Sequence, residues 1–427
     1  MKRTLHVALW LFSIAIMILP AEPAFAVPSF SRQTGASCAA CHTSYPGLTA
    51  FGRQFKLNGY TSTNLSQVKV QPSRSMPGMS INKIPNLSLI VQADESYLAK
   101  ALPGQDKTNA NFPKEFGIYY AGRITPHLGT FLQLNYNSSD GSISMDMSDV
   151  RYTGITGNHM WGVDINNGPT FEDVWNSTPG YGWPYVENST GVDPLVPFLA
   201  SEDIMTNVLG IGAYDYWNNK VYGYMGVYQS AKQGNTPATG DAIRDAAPYW
   251  RFAWTPTDNL EIGTFGFYAK YNPDLFTTGN NQHVLDTGLD SQYQIYQDNS
   301  LYTFHARYVR EKRSDITDTP SLTTHFVNMD ANWLYQHRYG LSAGLLLVRG
   351  DRSDFYNEMD PDGFNPDSKP DTNGLTLQAD YLPWENVRLS LQYSTYFKFN
   401  GASNNYNSDG RNASDNNALI LNALLGF

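Results

Sequence analysis

The feature that most restricts this chain's fold is a period-two alternation of apolar and polar residues that recurs along most of its length. In the clearest run Val387, Leu389, Leu391, Tyr393 and Phe397 alternate with Arg388, Ser390, Gln392, Ser394 and Lys398. Leu375, Leu377, Ala379 and Tyr381 alternate with Thr376, Gln378 and Asp380, and Val327, Met329, Ala331, Trp333 and Tyr335 with Asn328, Asp330, Asn332 and Gln336. Successive strand side chains point to opposite faces, so each run builds one apolar and one polar face. A run of about ten residues is the length of a tilted strand that crosses a bilayer, with lipid on one side and a lumen on the other.

Sixteen such runs can be placed. They start near Leu87, Phe116, Thr130, Ile143, His159, Asn207, Lys220, Tyr249, Asn259, Leu285, Leu301, Thr324, Gly340, Leu375, Val387 and Ala418. Connections after even-numbered runs are short, as at Asn218-Asn219 and Asp298-Asn299. Those after odd-numbered runs are mostly long and polar, especially 168–205, 231–248, 353–373 and 400–416. Short periplasmic turns alternating with long outer loops are expected of bacterial barrels. A soluble β-sandwich gives no reason for that regularity.

Composition agrees. Aromatics are 14% of the 427 residues, with 28 Tyr, while charged residues are 16%. Aromatic girdles at the membrane interfaces account for such a balance. A net charge of −10 argues against nucleic acid as partner. The last residues, Leu419 to Phe427, resemble the C-terminal strand by which outer-membrane proteins are recognised for insertion. The expected fold class is therefore all-β: a 16-stranded antiparallel transmembrane outer-membrane β-barrel over 87–427, both ends on the periplasmic side, with a small N-terminal segment.

That segment carries the chemistry. Met1-Lys2-Arg3, an apolar run from Val7 to Leu19 and Ala24-Phe25-Ala26 read as a secretory signal, residues 1–26, cleaved before Val27. Residues 27–60 follow, then a polar linker, 61–86. Cys38-Ala39-Ala40-Cys41-His42 is a c-type haem attachment motif that uses both cysteines of the chain. Cys38 and Cys41 would form thioethers with the haem vinyl groups, and His42 would be the proximal iron ligand. The competing reading is a Cys38–Cys41 disulfide or a chance match. Leu48, Phe51, Phe55 and Leu57 can form one face of an expected short helix. Arg32, Arg53 and Lys56 are candidates for the haem propionates or are ordinary solvated bases. Met76 and Met79 are candidate distal ligands; packing on the ring edge, a histidine from the barrel or an open site are the alternatives.

The run from Arg32-Gln33-Thr34-Gly35 through the motif to Pro46, Phe51-Gly52-Arg53-Gln54-Phe55-Lys56 and Gly59-Tyr60 resembles the cytochrome segment of fused outer-membrane cytochrome–porins of iron-oxidising bacteria. The order of parts is similar: signal, one haem, linker, sixteen-strand barrel. The resemblance implies one covalent haem c, extracellular Fe(II) as electron donor and a periplasmic c-type cytochrome as acceptor. Two alternatives stand beside it: a solute porin whose haem-bearing segment is a plug, and an outer-membrane conduit to another extracellular donor or acceptor. Acidic loops would attract Fe(II) through Asp351, Asp354, Glu358, Asp360, Asp362, Asp367 and Asp371, and through Glu172, Asp173, Glu187, Asp193, Glu202 and Asp203; residue by residue, solubility or Ca²⁺ binding at the lipopolysaccharide surface is the stronger account. The third long connection, with Trp175, Trp183 and Tyr185, is expected to fold inward. His305 falls on the polar face of its strand, toward the lumen. No Ser/His/Asp arrangement, phosphate loop or HExxH motif is present.

Overall fold

The structure is a computed structural model. It describes residues 28–44, 47–62, 71–72, 80–81, 86–137, 141–177, 189–197, 208–230, 232–233, 236–237, 242–243, 245–272, 281–316, 321–356 and 367–427. The signal segment, Met76, Met79, Trp183 and Tyr185 lie outside the described residues, as do Glu187, Glu202, Asp203, Glu358, Asp360 and Asp362.

Sixteen long strands form the wall. They are β1 (Leu87–Leu98), β2 (Thr108–Thr125), β3 (Leu128–Asn137), β4 (Ile143–Thr156), β5 (His159–Asn166), β6 (Val208–Trp217), β7 (Val221–Ser230) and β8 (Ala247–Thr257). The second half comprises β9 (Leu260–Asn272), β10 (Gln282–Gln297), β11 (Ser300–Ser314), β12 (Leu322–Tyr335), β13 (Tyr339–Gly350), β14 (Thr372–Trp384), β15 (Val387–Lys398) and β16 (Ala418–Gly426). Each pairs antiparallel with its neighbours in sequence. β16 pairs with β1 from Ala418 opposite Leu98 to Gly426 opposite Ile90, so the sheet closes on itself. Phe427 and Leu89 exchange two backbone hydrogen bonds, of 2.7 and 2.9 Å, at that seam.

Closure removes every strand edge, which a membrane requires because lipid satisfies no backbone group. The alternation works as the sequence implies. Leu391, Tyr393, Leu377 and Phe397 face outward and are exposed, while Ser390, Gln392, Gln378 and Asp380 are buried on the lumen side. Tyr152, Trp161, Trp217, Trp254, Tyr296 and Tyr339 are exposed near the short-turn end, where an aromatic belt meets the membrane interface. The tight turns use left-handed residues: Gly157 (φ 59°), Asn218 and Asn219 (φ 57° and 55°) and Asp298 (φ 52°). Such turns match the twist of the flanking strands.

One boundary differs by more than a few residues. β2 starts at Thr108, not near Phe116. The extra stretch, Thr-Asn-Ala-Asn-Phe-Pro-Lys-Glu, is mostly polar and lacks a lipid-facing period. It is held by pairing with Asp94–Tyr97 of β1 beyond a register shift between Gln92 and Asp94.

Candidate functional site

The lumen at the short-turn end is filled by the N-terminal segment. Three short helices build it: α1 (Pro28–Thr34), α2 (Cys38–Cys41) and α3 (Ala50–Leu57). The α1 helix lies on β1 and β2. Ser29 N–H donates to Ser88 Oγ at 2.8 Å. Gln33 Nε2 donates to the Ala121 carbonyl at 3.0 Å, and Arg123 N–H donates back to Gln33 Oε1 at 3.1 Å. Gly122 (φ +149°) makes room for this bridge: a Cβ there would meet the Gln33 amide at 2.2 Å.

Thr49 caps α3 by accepting the Gly52 N–H at 3.1 Å. Such a cap satisfies one orphan donor of the first turn. The apolar side of α3 does not stand alone. Phe55 and Leu57 are buried, and Phe30 stacks with Tyr60 at 5.5 Å, meets Phe55 edge-on at 5.1 Å and faces Phe131 of β3 at 6.4 Å. Tyr60 Oη donates to Asp149 of β4, and Tyr214 Oη of β6 donates to the Leu57 carbonyl. At about 1.5–3 kcal/mol per large apolar side chain buried, the wall supplies the core that so short a segment lacks.

The fit against the wall is close at one point. A Cβ on Gly129 of β3 would stand 1.8 Å from the Gly59 carbonyl oxygen, which is backbone and has no side chain to swing aside. Gly129→Val is therefore expected to lift the segment from β3 while the barrel still assembles. Limited proteolysis of folded protein should then cut within residues 28–62, where the parent resists; equal resistance would contradict this packing.

The Cys38–His42 turn lies against the hairpin between β14 and β15. Cys38 N–H donates to Glu385 Oε2 at 2.9 Å, and Cys38 Sγ lies 3.2 Å from the Glu385 carbonyl. Both cysteines are free thiols, so the Cys38–Cys41 disulfide is not formed. Burial pushes the Cys41 thiol up to about 11, and burial together with the Glu385 carboxylate pushes Cys38 higher. Neutral sulfur suits this place, as in a thiol or thioether. His42 Nδ1 donates to the Gly47 carbonyl at 3.3 Å. That is the tautomer whose Nε2 carries the lone pair, and a backbone carbonyl on the other ring nitrogen is the usual way a ligating imidazole is oriented. α3 closes on this turn: a Cβ on Gly52 would lie 2.2 Å from the Cys41 carbonyl oxygen. The donor set therefore fits a covalently attached haem c.

The three basic candidates all make protein contacts. Arg32, exposed at the rim, donates to the Leu87 carbonyl. Arg53 is buried; it donates to the Leu48 carbonyl at 2.9 Å, to Gln292 Oε1 at 3.1 Å and to Gln294 Oε1 at 3.3 Å, and stands over the Trp175 ring. Lys56 Nζ donates to the Phe171 carbonyl at 2.7 Å. Burial first, then the Arg151 charge, lowers the Lys56 ammonium from 10.5 to about 8. Between those values the unfolded chain binds a proton that the folded chain has released, so stability rises with pH across that window. Below about pH 8 both states are charged and the full penalty remains. Replacing Lys56 by Met should abolish this rise in pH-dependent unfolding curves; an unchanged slope would refute it.

The described start of the third long connection, 169–177, folds inward. Pro169–Glu172 form a buried 3₁₀ turn, followed by buried Asp173, Val174, Trp175 and Ser177. Arg151 pairs with Asp149 and Glu172, each at 2.6 Å, and Arg251 holds Asp290 at 2.8 Å, Glu261 at 3.0 Å and Asp173 at 3.1 Å. Trp175 packs on Tyr222 and Tyr216 and its carbonyl accepts from Gln292. Segment and loop thus meet at Lys56–Phe171 and Arg53–Trp175. Glu172 and Asp173 are consequently lumen ion pairs and not part of an acidic outer surface. Asp371 is likewise buried and pairs with Lys398 at 3.0 Å. Among the described residues, no three of His, Cys, Asp and Glu come together as a metal cage. His305 faces the lumen, held between Gln292 at 2.9 Å and Asp330 at 2.8 Å.

The barrel resembles solved outer-membrane channels. The outer membrane channel DcaP of Acinetobacter baumannii matches with a TM-score of 0.51 and 12% identity, over 84% of this chain and 99% of that one. Salmonella typhi OmpF, solved with daunomycin, matches with a TM-score of 0.51 and 12% identity, over 82% of this chain and 98% of that one. The fold is therefore the closed sixteen-stranded barrel of outer-membrane porins. No protein-family model matches the sequence, and no curated protein matches it.

Proposed function

We propose that this protein is a bacterial outer-membrane c-type cytochrome fused to a porin-like barrel, which takes electrons from extracellular Fe(II) and passes them, through one haem, to a periplasmic c-type cytochrome. The observation that carries the reading is the position of Cys38, Cys41 and His42: the chain's two cysteines and their adjoining imidazole sit at the short-turn rim of a closed membrane barrel. A haem there supplies a one-electron centre. The residues' own work is to hold it by two thioethers and the His42 imidazole, to keep it from lipid, and to close the lumen around it. Arg32, at the rim, is the candidate for a propionate. Fe(II) as donor rests on the resemblance of the segment to iron-oxidiser cytochrome–porins; Glu115 and Asp146, facing one another through Gln133 along the lumen wall, would favour cations on the way in. Membranes bearing the intact protein, mixed with Fe(II), should develop reduced-haem absorption bands. Haem that is present and reducible by dithionite, yet silent to Fe(II), would defeat the iron assignment.

The second reading, a solute porin plugged by its haem-bearing segment, draws on the porin-like fold and on the filled lumen. A blocked pore that opens when the segment is removed is common to both readings, so reduction of the haem by Fe(II), expected only of the first, separates them.

A further inference from the structure

We infer that His337 would supply a second protein ligand to the haem iron besides His42, an assignment that rests on the haem reading above. Besides His42, six histidines are described. Five are engaged elsewhere: His127 with the Thr153 carbonyl, His159 with Asp215, His283 with Asp315, His305 with Gln292 and Asp330, and His325 with Tyr308. His337 stands in the short turn between β12 and β13, on the rim that the haem-attachment stretch occupies.

The topology brings the two together. One end of the stretch, Cys38, is hydrogen-bonded to Glu385 in the β14–β15 turn. The other end, the Leu48 carbonyl, accepts from Gln294 of β10 at 3.3 Å. Around the barrel, a single hairpin turn separates the β10–β11 turn from the β14–β15 turn, and that turn carries His337. Its backbone has the left-handed geometry of the other tight turns. Gln336 and His337 both have φ 51°, at places where the other tight turns put Gly157, Asn218-Asn219 or Asp298. The two-residue hairpin turn itself holds this geometry, as it does at Asn218-Asn219, and it fixes His337 on the rim. His337 is exposed on this rim; partial burial lowers its imidazole from the ordinary value, against the Glu385 charge, which favours the neutral ring. Neutral imidazole is the form that binds iron.

The test uses the full-length protein in detergent micelles, with covalent haem staining, electron paramagnetic resonance and near-infrared spectra of the ferric state. His337→Asn suits the turn, because asparagine accepts left-handed φ; His337→Ala is the companion. The parent should be low-spin with two imidazoles. Both variants should keep covalent haem, turn high-spin, and return to low-spin on adding imidazole. Met76→Leu and Met79→Leu should change nothing. A methionine–iron band in the parent, a high-spin parent, or persistent low-spin haem in both His337 variants would overturn the assignment. Absence of covalent haem from the parent would instead defeat the haem reading itself.

Discussion

Cys41→Ser is expected to lower covalent haem staining well below that of the parent, because one of the two thioethers is lost, while the barrel still assembles. In the proposed attachment two thioethers and one imidazole would hold the group, and a serine hydroxyl does not add across a vinyl bond to replace the lost one. The fold has little reason to change. Serine is close to cysteine in size, the wall is closed by sixteen strands without Cys41, and Cys41 is held through its backbone, its carbonyl accepting the Thr49 N–H at 2.9 Å. Heat-dependent migration on gels reports barrel assembly separately from haem. Undiminished covalent haem in the variant would refute the motif reading, whatever the electron donor.

Deleting residues 28–62 is expected to turn a closed lumen into a conducting one. A sixteen-stranded barrel encloses an aqueous channel unless something fills it. Here Leu57 packs with Trp175, Tyr214 and Tyr222, Arg53 bridges to Gln292 and Gln294, and Tyr60 reaches Asp149. Removing these groups leaves the third loop, still anchored by Arg151 and Arg251, beside an opened mouth. Single-channel recordings should change from no steady current in the full chain to discrete open steps in the deletion. Steady current through the full-length protein would favour solute passage over electron transfer as its task. No current in either would show that the third loop alone closes the pore.

Strand number was legible before any contact was known. Lipid on one side and a polar lumen on the other impose the same two-residue period on every crossing, and that demand is local. The register-shifted start of β2 escaped because Thr108–Glu115 stands where no lipid imposes a period. The acids of the third loop were misleading for a related reason. Glu172 and Asp173 read as surface carboxylates, yet Arg151 and Arg251 meet them only once strands far apart in sequence have closed into a ring.

The sequence by itself determined the all-β class, the sixteen crossings, the alternation of short and long connections and the Cys38–Cys41–His42 motif, because each is written in neighbouring residues or in composition. The tertiary structure alone decided that the N-terminal segment enters the barrel, that Arg53 and Lys56 bind the wall and the third loop, and that His337 shares a rim with Cys38. The physical reason is burial: a segment this short has too little apolar surface of its own. It completes its core on side chains that only barrel closure brings together.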